Sequence, residues 1–87
     1  MDIHVTEMEK CFLEAKKAGN CVAVLVEMDG FPEPEIIINP TMNIDSKLAY
    51  YKKTYDEKLQ HRFAQGIRII DFTSGKDFAA IQRHFHR

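Results

Sequence analysis

The sequence predicts a small α+β protein in the order αββαβα. The expected sheet is a three-stranded mixed sheet of order 2-1-3, packed with helices. Three observations lead there. Residues 21–38, CVAVLVEMDGFPEPEIII, are the most apolar stretch and carry the Asp29-Gly30 hairpin signal. Stretches with helical periodicity flank it on both sides. A second short apolar run, IRIIDF at residues 67–72, follows the middle helical stretch.

Residues 7–18 read as the first helix. Thr6 with Glu9 has the spacing of a capping box, and Met8, Cys11, Phe12 and Ala15 recur on one face. Lys16 and Lys17 suit the negative end of the helix dipole, and Gly19 suits the left-handed position that stops a helix.

The first strand is apolar on both faces, with Val22, Val24, Val26 and Met28 on one and Cys21, Ala23 and Leu25 on the other. Such a run belongs in the middle of a sheet. A type I′ turn at Asp29-Gly30 would pair Met28 with Phe31, Val26 with Glu33 and Val24 with Glu35. The N–H groups of residues 32 and 34 would then face outward, and both residues are proline, so no strand could pair there. The other reading of this stretch is an irregular loop over residues 31–34 before a short strand at 35–39.

Asn39-Pro40 breaks the pattern. The second helix is expected over residues 45–59, with Leu48, Tyr51, Tyr55 and Leu59 on one face. Residues 60–66 read either as its extension, with Phe63 continuing the stripe, or as a loop ended by Gly66. The third strand is expected at 67–72. Ser74 with Asp77 resembles another capping box, opening a third helix over 76–84 with Phe78, Ile81 and Phe85 inward. Joining strands two and three through a helix makes them parallel to each other. Strand one then lies between them, antiparallel to both, and strand three is left as the open edge.

Eighty-seven residues and ordinary shares of apolar and charged residues describe one domain, residues 1–87, with a modest core. A net charge of -1 argues against bulk binding of nucleic acid or anionic membrane. No apolar run is long enough to span a bilayer, and the acidic start MDIHVTEMEK has no signal-peptide core. Two cysteines, Cys11 and Cys21, make no disulfide framework and suit a reducing cytoplasm.

Few side chains suggest chemistry. Ser74, Gly75 and Lys76 at a helix start, with Arg68, could hold a small anionic ligand or nucleotide, but the sequence lacks the P-loop pattern. His4, His61, His84 and His86 have no metal-site spacing, and both cysteines sit among apolar neighbours and read as buried core, so no metal, cofactor or catalytic residue is expected. Tyr50 falls off the buried stripe of its helix, and Glu33 and Glu35 ring the hairpin, so these three are the candidate partner contacts. Lysines 47, 52 and 53 beside the tyrosines could form a nucleic-acid patch, but Asp45, Asp56 and Glu57 among them argue against it.

Two stretches, Glu35-Ile36-Ile37-Ile38-Asn39-Pro40 and the run KLAYYKKTYDEKL at residues 47–59, resemble small proteins encoded by bacteriophages and prophages of Gram-positive bacteria. That resemblance implies a cytoplasmic accessory or host-interaction role. Ile38-Asn39-Pro40 is also similar to a strand of peptide deformylases, but the His-Glu-x-x-His helix of that family is absent. The expectation is a non-enzymatic protein-binding module or inhibitor that self-associates, with anion binding at Ser74–Lys76 as the other reading.

Overall fold

A computed structural model describes residues 4–85; the first three residues, His86 and Arg87 lie outside it. The chain runs α1 (Val5–Ala18), β1 (Cys21–Met28), β2 (Glu35–Asn39), a 3-10 turn (Thr41–Asn43), α2 (Ile44–Thr54), β3 (Ile67–Gly75) and α3 (Phe78–Phe85). The sheet has the order β2-β1-β3, as the apolar character of β1 predicts. Both ladders are antiparallel, so the sheet is antiparallel rather than mixed.

The first helix starts two residues early. His4, not Thr6, caps it, its ring nitrogen accepting from the Thr6 N–H. Its stop is as expected: Gly19 sits at φ 73, Gly19 N–H donates to Lys16 and Asn20 N–H to Ala15. That pair of bonds is a Schellman motif.

The hairpin departs from the regular one. Val26 pairs with Glu35 and Val24 with Ile37, a register two residues away from the tight-turn expectation. Residues 31–34 are the irregular loop of the other reading. Phe31 N–H still reaches Met28 O, but only Gly30 has positive φ, and the Asp29 N–H donates to Gly66 O instead of leaving the turn free. A slip of two keeps every side chain on its expected face.

The second helix ends at Thr54, five residues short of expectation. Tyr55 is extended and Leu59 is left-handed at φ 62, yet both are buried. The Asp56 carboxylate stops the helix by accepting from the N–H groups of Lys58 and Gln60, a local turn that competes with helical bonding. Phe63, expected to extend the stripe, is 79% exposed. The third strand runs three residues longer than expected, through Gly75, with a bulge at Ile70 where Leu25 pairs with Asp71 and Val26 with Ile69. The third helix starts at Phe78, and Asp77 caps it by accepting from Ala80 N–H. Phe78 points to solvent, not inward.

The two sheet faces are unequally covered. Val22, Val24 and Val26 pack under Met8, Phe12 and Ala15 of α1 and Ile44, Leu48 and Tyr51 of α2. Burying each large side chain contributes about 1.5–3 kcal/mol. The opposite face carries α3 over β3, where Ile81 and Ala23 are fully buried and His84 Nε2 lies 3.1 Å from Asp71 Oδ2. Leu25, Ile36 and Ile38, on this same face beyond α3, are only half-buried. Among the described residues no helix is long and apolar enough to cross a membrane.

Candidate functional site

The residues expected to hold an anion are not brought together. Ser74 and Gly75 belong to β3, paired with Val22 and Cys21. The expected helix start is therefore corrected: these residues continue the ladder instead of opening α3. Gly75 serves close packing: a Cβ there would stand 3.0 Å from Ala80 Cβ and 3.4 Å from Ile81 Cγ1, so glycine lets α3 lie on the sheet. Lys76 is exposed ahead of α3. Arg68 lies six residues before Ser74 along β3, roughly 20 Å away, and its guanidinium donates to Glu27 and, at 3.2 Å, to Asp29. That pairing raises the Arg68 pKa further, with Glu27 the larger cause. A depression of about 210 Å³ lined by Gln60, His61, Gln65 and Arg68 lies next to it. It is below the usual size of a small-molecule site, and His61 Nδ1 is already occupied by the N–H groups of Phe63 and Ala64.

The Cys11 thiol is not primed for attack. Burial, with Glu14 adding to it, pushes the Cys11 thiol up to about 11, against a weaker opposing bond from Ser74. A thiol held protonated at neutral pH is a poor nucleophile. Among the described residues, the one buried polar side chain the sequence did not single out is Asn39, which donates to Val22 O and Ile37 O and accepts from the Tyr51 hydroxyl. An Asn-Pro dipeptide reads as a breaker, and nothing local marks its side chain as buried.

The two sheet edges differ, and the backbone bonds show how. His61 N–H donates to Ile67 O, and Ile69 N–H donates to Leu59 O. Residues 59–61 therefore cover the outer side of β3 at this end, and Gln60 bridges Arg68. Farther along, the Phe72 N–H is taken by the Asp71 carboxylate at 2.8 Å. So β3 is not the fully open edge the sequence suggested: residues 59–61 close its Ile67–Ile69 end and the Asp71 carboxylate takes the Phe72 N–H.

The same bonds fix the parity of the sheet. N–H and C=O of one strand residue point to the same side, and successive residues alternate. Ile67 and Ile69 point out, so Arg68 points in, to Glu27. Glu27 then faces β3, and Val26, Val24 and Val22 face β2, where their partners are Glu35, Ile37 and Asn39. Ile36 and Ile38 are left facing outward. Pro34 and Pro40 directly flank β2 at its two ends, while Pro32 lies in the irregular loop, outside the strand pairing. This differs from the regular hairpin, which would have put both Pro32 and Pro34 inside a paired strand. The shifted register leaves a window: two isoleucines with free backbone N–H and C=O, bracketed by residues that have no N–H. Among the described residues no other hydrogen bond reaches those groups.

The expected contact residues sit around this window unevenly. Glu33 and Glu35 are exposed at its start and make no ion pair among the described residues. Phe31 is 64% exposed beside them. Tyr50 is half-exposed on α2, edge-on to Tyr51, with Lys47 Nζ 5.7 Å from its ring centroid. No hydrogen bond among the described residues joins Tyr50 to Glu33 or Glu35.

Comparison with protein-family models, curated proteins and solved structures returns no significant match. The reading of function therefore rests on this geometry alone.

Proposed function

We propose that this chain is a non-enzymatic protein-binding module that takes an extended segment at the outer edge of β2. The observation that carries the reading is the pair of outward-facing backbones at Ile36 and Ile38. Unpaired strand edges are templates for another strand, and proteins with no use for them cover or charge them. Here β3 is covered at its Ile67–Ile69 end, and β2 is open in its middle. Strand addition draws affinity from main-chain bonds and selectivity from side chains alternating between the two faces. Leu25, Ile36 and Ile38 supply an apolar strip on one face, and Glu33 and Glu35 place negative charge at one end. That charge favours segments carrying Lys or Arg there.

The test is a library of extended peptides screened for binding to the parent chain and to Ile38→Pro. The substitution removes an N–H that the β1–β2 ladder does not use, so folding is retained while docking is lost. Binders should weaken at least about tenfold on losing that bond and stranding its acceptor. Peptides that bind both proteins equally would sink the reading.

A further inference from the structure

The edge of β2 has a further property: it is complementary to itself. Residues 34–40 read Pro-Glu-Ile-Ile-Ile-Asn-Pro, which is symmetric in kind about Ile37. We infer that the segment filling this edge is β2 of a second copy of the chain, antiparallel, with a two-fold axis at Ile37. This inference rests on the strand-addition reading above and names its partner.

The register follows from the backbone. With the axis at Ile37, Ile36 faces Ile38 of the partner subunit and Ile38 faces Ile36 of the partner subunit. All four residues point across the interface, so each pair exchanges both of its bonds. Pro34 then meets Pro40 of the partner subunit, and the ladder ends where neither chain has an N–H to strand. Sliding the copies so that Ile36 meets itself sets the carbonyl of Ile38 against Pro34 with no donor. Sliding the other way does the same to Ile36 against Pro40. Each slip makes the same four backbone bonds but leaves a half-buried isoleucine carbonyl unpaired in place of an exposed proline carbonyl, so the Ile37 register is the one that pairs both isoleucines fully.

Charge disfavours the Ile36-centred slip and a parallel pairing. Glu35 lies across from Asn39 of the partner subunit, and the two Glu35 side chains stand four residues apart, roughly 14 Å. That exceeds the screening length of about 8 Å in physiological salt. A parallel pairing would set Glu33 and Glu35 of both copies side by side. On the face away from α1 and α2, Leu25, Ile36 and Ile38 of the two copies join into one apolar strip. A contact that uses the same patch on both subunits closes on itself and does not grow into a filament.

The experiment combines mass and register. Sedimentation equilibrium of the parent chain, up to roughly 1 mM, should show a monomer–dimer equilibrium. Ile38→Pro, and Ile36→Pro as a second variant, should weaken it at least about tenfold with unchanged circular dichroism. Under mild oxidation Ile37→Cys should link two copies across the axis, and Glu35→Cys should not, with the unsubstituted chain setting the background from Cys11 and Cys21. A parent chain that stays monomeric overturns the inference. So does a dimer that survives both prolines, or one that Glu35→Cys links and Ile37→Cys does not. If the parent is monomeric yet Ile38→Pro abolishes peptide binding, the second copy is wrong and strand addition stands. If peptide binding is also indifferent to the proline, both fall.

Discussion

Asn39 is a fully buried polar side chain on β2. Its amide satisfies two carbonyls and the Tyr51 hydroxyl, all inside the protein. Asn39→Ala strands the hydroxyl, and we expect a loss of about 1–3 kcal/mol in chemical unfolding. Burial pushes Tyr51 up to about 12, opposed by the Asn39 bond. The folded chain therefore keeps a proton that the unfolded chain releases near 10. The stability this confers is whole below pH 10 and drains away as pH rises towards 12. A melting-temperature series should fall over that window, and Tyr51→Phe should flatten the fall, with Tyr55, also raised by burial, contributing the remainder. At Cys11 a thiol held up at about 11 should alkylate on the order of a hundredfold more slowly at pH 8 than one at 9.0. A rate equal to that of a free thiol would contradict the packing described for α1.

At the scale of elements, the legible features were those with local causes. The Gly19 stop and the central place of β1 both follow from residue type and alternation. What stayed hidden was decided by distant partners. Asp29-Gly30 is a strong tight-turn signal, but the Asp29 N–H belongs to Gly66 and its carboxylate to Arg68. Tyr55 and Leu59 keep helical spacing and are buried, yet the backbone beneath them has left the helix to clip the edge of β3. Ser74-Gly75 reads as a turn, and the glycine is there so that α3 can touch the sheet. Gly66 shows the same dependence: at φ 79, a Cβ would lie 2.6 Å from Asp29 Oδ2 and 2.9 Å from its Cγ. Gly66→Ala should therefore destabilise by about 1–3 kcal/mol and separate Asp29 from Arg68, which a thermal melt and the side-chain resonances of Arg68 would report. An unchanged melt would mean that the 55–66 segment is not clamped to the hairpin turn.

For the molecule as a whole, an 87-residue chain has little stability in reserve. Phe12 sits fully buried between β1 and α2, edge-on to Tyr51 at 5.7 Å. Phe12→Ala should cost about 3–5 kcal/mol, a large part of the total, and a urea titration should show a population of unfolded chain before denaturant is added. The ion pairs Lys16–Asp45 and Lys52–Glu9, which tie α1 to α2, are exposed and contribute little in comparison. Covering β3 at its Ile67–Ile69 end while leaving β2 open in its middle favours β2 as the place where a partner adds to the sheet. The most direct measurement is residue-resolved amide hydrogen exchange, with the protein free and then associated. Glu35, Ile37 and Asn39, bonded to β1, should be protected in both states, and Ile36 and Ile38 should exchange fast when free and slowly when associated. Fast exchange at Ile36 and Ile38 in the associated protein, or at Ile37 in the free one, would contradict it.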